Sequence, residues 1–264
     1  MKELTLRKIA EACHGTVAPE AETVTVTGVQ SDSRRVRPGD LFVAIKGEKA
    51  DGHDFVAMAA SLGAKAALVA RPVEAPIPTI LVADTIRAYG DLAAAYREHA
   101  GITVIGITGS VGKTTAKEML AAALSGKYEV FKTPGSMNGQ IGIPVSLIGL
   151  HGDYDVAVIE MGVSLFGEMT RLTNMVHPDM AVFTNIGDAH LEALGDRPGI
   201  LRAKSEILLG MKDDAVIFAN GDDALLSKAN FGRKTVLFGL GENCAVRAAD
   251  VQQNGESLSC RILA

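Results

Sequence analysis

The stretch Ile105-Gly106-Ile107-Thr108-Gly109-Ser110-Val111-Gly112-Lys113-Thr114-Thr115 decides how the chain reads. An apolar strand over 103–107 runs into a loop carrying Gly109 and Gly112, and Lys-Thr-Thr then opens a helix over 114–124. The amides of such a loop, with the positive end of the helix dipole behind them, collect phosphate oxygens. Lys113 adds a point charge for the β and γ phosphates, and a hydroxyl of Thr114 or Thr115 can reach Mg2+. The general phosphate-loop pattern puts its first Gly at position 107, where this chain has Ile. The bland alternative is a Gly-rich turn beside a solvated lysine, which suits a strand–loop–helix context poorly. Gly109, Ser110, Val111, Gly112, Lys113, Thr114 and Thr115 are therefore expected to hold ATP.

Outward from this loop, strand and helix patterns alternate. Strands are predicted over 128–131, 156–159, 180–183, 215–218 and 235–238, with helices over 167–174 and 199–209. Strands dense in Val, Ile and Ala between helices argue for a mainly parallel sheet covered on both faces. Upstream, strands over 24–29, 41–45, 66–70 and 79–82 with a helix over 55–62 make a smaller α/β unit. A continuous helix over 85–99 follows Asp84, a plausible N-cap. The expected fold class is α/β: a small N-terminal domain (1–83), a linker helix (84–100) and a central domain of P-loop NTPase type (101–264). The tail from Cys244 to Ala264 reads as two polar strands joined at Asn254-Gly255.

Composition narrows the partners. Lys and Arg total 26 against 31 for Asp and Glu, a net charge of -5 over 264 residues, which argues against nucleic acid as the main partner. A hydrophobic content of 47% excludes disorder. No apolar run is long enough to span a membrane, and Met1-Lys2-Glu3-Leu4 leads into no secretory core. Three cysteines, Cys13, Cys244 and Cys260, share no metal spacing and read as reduced thiols. A cytoplasmic monomer is expected.

Sheets of this kind bind ligands beyond the carboxyl ends of their strands, and several polar residues fall there. Glu160 follows the strand over 156–159 and either meets a cation or faces water. His190 follows the loop 184–189 and is a ligand or a satisfied loop histidine. Lys204 sits midway along an amphipathic helix and is functional or a snorkelling surface lysine. Asn220 either pairs with a purine edge or holds the Asn-Gly turn. Asp222-Asp223 reads as a solvated turn and helix cap. In the first domain, Ser31, Asp32, Ser33 and Arg34 either grip a diphosphate or form a self-contained Asp–Arg turn. His53 touches a ligand or caps a helix.

Read in order, these segments resemble the ATP-dependent Mur ligases, which add amino acids to the cytoplasmic peptidoglycan precursor. The first domain carries Asp32-Ser33-Arg34, Pro38-Gly39-Asp40-Leu41-Phe42-Val43-Ala44 with Gly47, Asp51-Gly52-His53 and Gly63-Ala64. The ATP loop continues into Lys117-Glu118. Glu160-Met161-Gly162 with Gly167-Glu168, Thr184-Asn185-Ile186-Gly187 with His190-Leu191-Glu192, and Ala203-Lys204-Ser205-Glu206 complete the central domain. Within the family the chain looks most like the branch that joins D-alanyl-D-alanine to UDP-N-acetylmuramoyl tripeptide. The alternatives are the sister branch that adds diaminopimelate or lysine as the third stem residue, and a non-catalytic nucleotide-binding relative.

The resemblance implies roles. Lys113, Glu160, His190 and Lys204 form the catalytic set. Glu160 and His190 match divalent-cation ligands, joined by Thr114 and by Lys204, which matches a lysine carbamylated by CO2. Asn220 matches the adenine contact. Ser31, Asp32, Ser33, Arg34, Gly47 and His53 match the region that holds the UDP end, and Asn138 the substrate side of the central domain. One motif departs: where the family shows Thr-x-Gly-Asn-x-Asn-Asn-x-Ile-Gly-x-Pro, the run 133–144 has Ser136 and Gly139 in place of two asparagines. The resemblance covers roughly the first three-fifths of such an enzyme. The C-terminal domain is expected to be missing, and the chain alone is expected not to turn over.

Overall fold

A computed structural model describes residues 3–150, 153–255 and 257–264. The chain folds as two units, Met1–Gly101 with Gln140–Asp153, and Ile102–Gly139 with Tyr154–Ala264.

In the first unit, β1 (Leu4–Thr5) leads into α1 (Leu6–Ala12), followed by β2 (Thr16–Val17), β3 (Thr25–Val26), β4 (Gly28–Gln30) and β5 (Asp40–Val43). Helix α2 (Val56–Ser61), β6 (Ala66–Val69), β7 (Thr79–Leu81) and α3 (Thr85–Ala100) complete the run. Five strands make one sheet in the order β2-β7-β6-β5-β4, with β2 antiparallel and the rest parallel. Every residue of β5 and β6 is buried, as parallel strands covered on both faces should be. The single strand expected over 24–29 is broken at Thr27, whose N–H donates to Gly39 O at 2.9 Å. β3 then pairs with β1 and β4 with β5. Asp84 caps α3 by accepting the N–H groups of Ile86 and Arg87 at 2.8 and 3.0 Å.

The second unit opens with β8 (Thr103–Thr108), α4 (Lys113–Leu124) and β9 (Val130–Lys132). The chain then makes α5 (Gly142–Ile148), which packs on α3 and belongs to the first unit. The sequence reading assigned everything after 101 to one domain. Ile143 and Leu147, fully buried at helical spacing, explain the excursion. The second unit resumes with β10 (Val156–Glu160), α6 (Glu168–Val176), β11 (Met180–Phe183), α7 (Leu191–Leu194), α8 (Arg197–Ser205), β12 (Val216–Asn220) and β13 (Thr235–Gly239). It ends in the hairpin β14 (Val246–Asn254) and β15 (Ser257–Leu263), the two polar strands expected of the tail.

The eight strands run in the order β15-β14-β13-β12-β11-β8-β10-β9, parallel except for β15. β8 is central, with β10 on one side and β11 on the other. The chain goes from β8 to β9 and β10 on one side and then crosses to β11 on the other, so the crevice at the carboxyl end of β8 is the switch point where such sheets take ligands. Ala121 on α4 packs with Ile107 and Val158, fixing the helix that follows the loop. Among the described residues, no helix is long and apolar enough to cross a membrane, and Cys13, Cys244 and Cys260 are free.

Candidate phosphate and nucleotide site

The loop after β8 is laced to the loop after β11. Ser110 N–H donates to Asn185 O at 3.0 Å, and Val111 N–H to Asn185 Oδ1 at 2.9 Å. Thr184 Oγ1 donates to Val111 O at 2.7 Å, and Gly187 N–H to Ser110 Oγ at 2.9 Å. Gly109 has φ +151, and a Cβ there would overlap the Thr184 hydroxyl. Gly112 takes φ +78 at the N-terminus of α4. Both glycines are conformational requirements of the loop.

A cavity of about 280 Å³ opens beside this loop, lined in part by Gly109, Ser110, Lys113, Asn138, His190 and Lys204. Lys113 Nζ donates to Gly109 O at 2.9 Å. Burial draws its pKa below the ordinary lysine value, against the pull of Glu160. Lys204 is 2% exposed, so it is not the snorkelling surface lysine of the bland reading. Burial, with the Lys113 ammonium nearby, lowers its pKa to about 8. His190 is exposed and caps α7 in the left-handed region, φ 65.

Glu160 ends β10 with 2% exposure, so the water-facing alternative does not hold. Its Oε2 accepts the Thr114 hydroxyl at 2.9 Å and its Oε1 the Asn138 amide at 2.7 Å. Its own N–H donates to Thr133 Oγ1 at 2.9 Å. The structure thus links Thr114, Asn138 and Glu160, and gathers Lys113, His190 and Lys204 around one cavity. Among the described residues no three His, Cys, Asp or Glu side chains converge to hold a metal. A divalent ion would depend on a mixed set: the Glu160 carboxylate, the Thr114 hydroxyl, His190 and an anion built on Lys204. That set suits a hard cation, which prefers oxygen donors. Gly139, at one of the departures from the family motif, lines the cavity without offering a side chain.

Other expected residues sit differently. Val111 and Thr115 are exposed. The Asn220 amide donates to Thr184 O at 2.9 Å and accepts the Asp222 N–H at 3.0 Å, which is the turn-holding arrangement. Asp223 is not a solvated turn residue: its side chain is 6% exposed and accepts the N–H groups of Ile186, Leu225 and Leu226 at 2.9, 2.9 and 3.0 Å. Burial pushes its pKa up, but these donors and Arg197 outweigh it and hold it below the ordinary range. Arg197 also grips Ile186 O at 2.9 and 2.6 Å, so the peptide of Ile186 is clamped from both sides.

In the first unit, Ser31, Asp32, Ser33, Arg34 and Gly47 line an open groove of about 770 Å³ that also carries Phe42, Lys49 and Ile141. Arg34 is paired with Asp32 through Nε and Nη2, both at 2.9 Å, which is the self-contained turn. His53 is corrected. It is 6% exposed, its Nε2 accepts the Ala70 N–H at 2.8 Å, and its Nδ1 lies 2.6 Å from Asp51 Oδ1. Both ring nitrogens are engaged in the fold, so neither is left for a ligand.

Lys117 went unassigned in the sequence reading, yet it is fully buried and lies 3.8 Å from Glu160 Oε2. The signal was present: Lys117, Ala121 and Leu124 fall on one face of α4 at helical spacing, and Ala121 is core.

A mainly parallel sheet with a glycine-bearing loop at its switch point, and buried Glu and Lys side chains beside it, defines an α/β protein whose candidate site lies at the carboxyl ends of its strands. Two family models match in succession: the Mur ligase family catalytic domain over residues 25–105 and the Mur ligase middle domain over 107–263. The chain belongs to the Mur ligase family. It is 42% identical over 260 residues to the UDP-N-acetylmuramoyl-tripeptide--D-alanyl-D-alanine ligase of Bacillus subtilis (strain 168), covering 97% of this chain and 57% of the relative. Against the enzyme of that name from Escherichia coli (strain K12) the identity is 39%, covering 84% and 49%. A crystal structure of MurF from Acinetobacter baumannii superposes with TM-score 0.93 at 34% identity, over 99% of this chain and 58% of that one. MurF ligase from Thermotoga maritima, solved in complex with ADP, gives TM-score 0.82 at 35% identity, over 90% and 56%. The chain therefore spans about half to three-fifths of the length of these relatives.

Proposed function

We propose that the protein carries the substrate-binding and ATP-binding parts of a ligase that joins D-alanyl-D-alanine to UDP-N-acetylmuramoyl tripeptide in the cytoplasm. The observation that carries the reading is Glu160, buried at the end of β10 and held by Thr114 and Asn138, beside the cavity shared by Lys113 and Lys204. The kinship with UDP-N-acetylmuramoyl-tripeptide--D-alanyl-D-alanine ligases supports it. In this reading 1–83 receives the UDP-linked substrate, 84–100 is the linker helix, and 101–264, apart from the segment 140–153 that packs with the first unit, is a P-loop NTPase-type domain.

The reaction has two steps. A substrate carboxylate oxygen attacks the γ-phosphorus of ATP and ADP leaves, giving an acyl phosphate. The amine of D-alanyl-D-alanine then attacks the acyl carbon, loses a proton and expels phosphate. The loop amides of 109–112 and Lys113 hold the transferring phosphoryl group and offset its charge. Glu160, Thr114, His190 and carbamylated Lys204 are the residues that would hold Mg2+, which supplies further charge neutralisation when bound. Carbamylation needs a neutral amine: nitrogen adds to CO2 and releases a proton. Burial beside Lys113 favours that neutral form of Lys204. Asn220 would contact adenine through the second N–H or the second oxygen lone pair that its two turn bonds leave unused. The groove at Ser31, Asp32, Ser33, Arg34 and Gly47 takes the uridine diphosphate end.

The test uses the protein at the full length of its relatives with ATP, Mg2+, bicarbonate, UDP-N-acetylmuramoyl tripeptide and D-alanyl-D-alanine, read by mass spectrometry. A UDP-linked pentapeptide that needs every component is expected. Its absence would reject the reading, and product from the UDP-linked dipeptide plus diaminopimelate or lysine would move it to the sister activity.

A further inference from the structure

Lys117 stands one helical turn beyond Lys113, yet it is no part of the cavity wall. A lysine that is 0% exposed needs specific compensation for the water it has lost. Nζ donates to Thr133 O at 2.9 Å and to Gly135 O at 2.5 Å. It also lies 3.3 Å from Glu118 Oε1 and 3.8 Å from Glu160 Oε2. Glu118 in turn pairs with Lys132 on β9. Charges of alternating sign thus run inward from two half-exposed side chains, Lys132 and Glu118, to two buried ones, Lys117 and Glu160.

The loop 133–138 is tied to β10 at both ends of the same short stretch. Thr133 Oγ1 accepts the Glu160 N–H, and the Asn138 amide donates to the Glu160 carboxylate. Lys117 adds a tie from α4 to the carbonyls of the loop itself. It is also the cation nearest to a carboxylate that otherwise meets only neutral donors, Thr114 and Asn138. Removing it leaves the buried Thr133 carbonyl and the neighbouring Gly135 carbonyl short of a donor, and leaves Glu160 only the charge of Lys113.

We propose that Lys117 is a positioning residue for the phosphate site: it pins the loop 133–138 against β10 and keeps Glu160 aimed at Thr114 and Asn138. It acts through these groups without touching the reacting atoms. The inference rests on the proposed placement of nucleotide and divalent ion beside Glu160.

The test uses the full-length protein with Lys117→Gln, which keeps N–H donors but loses the charge, and Lys117→Met, which loses both. Three quantities are read: the Mg2+ dependence of binding of a fluorescent ADP analogue, the steady-state constants, and hydrogen exchange over 133–139 without nucleotide. For Lys117→Gln, folded by its melting curve, the Mg2+ midpoint is expected to rise about tenfold or more, as when an outer-shell partner is removed. kcat should fall by a similar factor, while KM for the UDP-linked substrate stays within about twofold. Lys117→Met should in addition exchange faster over 133–139 than the parent. The proposal is overturned if folded Lys117→Gln keeps both the Mg2+ midpoint and kcat within about twofold of the parent. It is equally overturned if all constants worsen together in step with a lower melting temperature, or if neither variant folds, because the lysine is then purely architectural. The binding and exchange measurements need no ligation. A parent that binds the nucleotide but makes no pentapeptide would sink the proposed function while these data still judge Lys117.

Discussion

A histidine between two aspartates in one short turn can be a binding site or a staple, and at 51–54 the partners decide for the staple. The backbone N–H of His53 and then its ring hold the Asp51 carboxyl down to about 2, with Arg71 adding to the same effect. A carboxyl depressed in the fold stabilises it fully above its unfolded value, and that contribution is lost as pH falls from there through the folded value. Asp51→Asn should therefore lower the melting temperature at pH 6, and the gap from the parent should close between about pH 4 and pH 2; a gap independent of pH would contradict the pairing. Lys204 belongs to the same scale. Full-length Lys204→Ala should lose ligation by about a hundredfold or more, as when a preorganised charge is removed, and recover part of it with added short carboxylic acids. Ordinary ligation by the unaided variant would rule out the carbamate role. Residue types in the sequence were legible as candidates, but their partners were not. The burial of Lys204 comes from packing of α8 in its unit, and the Asp223 clamp on Ile186 joins positions 37 apart, so no local pattern reveals either.

At the scale of the element, the strand–loop–helix at 103–124 was the most legible feature, because strand, glycines and helix start agree along one continuous stretch. The two glycines are nonetheless unequal. At Gly112 a Cβ meets nothing within 4 Å, so Gly112→Ala should cost only the left-handed backbone penalty, about 1–2 kcal/mol. At Gly109 the same methyl overlaps the Thr184 hydroxyl and presses on the Asn185 backbone at 3.1 Å. Gly109→Ala should therefore cost more than about 2 kcal/mol and separate the two laced loops. Denaturant melts of both variants, with binding of an ADP analogue, check the order, and an equal or reversed order would overturn it. Where elements read less well, a distant partner was responsible. The alternation over 24–29 was seen, but it divides between two sheets because β3 pairs with β1 and β4 with β5.

For the molecule as a whole, α/β architecture and a mainly parallel sheet follow from apolar strands separated by helices, and that much the sequence carries. Membership of the segment Gln140–Asp153 is different, since α5 lies in chain order between β9 and β10 but packs on α3. Its apolar spacing predicts a helix without saying which unit it covers. The assignment makes an unequal prediction for the intact chain. Leu147 is fully buried, and truncating such a side chain costs about 2–5 kcal/mol, a large share of the roughly 5–15 kcal/mol that holds a domain together. If α5 is part of the first unit, Leu147→Ala should raise hydrogen exchange in α3 and in β5 to β7 while leaving β8, β10 and β11 close to the parent. Faster exchange confined to β8–β11 would return the segment to the second unit, and a uniform rise would mean that the two units unfold as one.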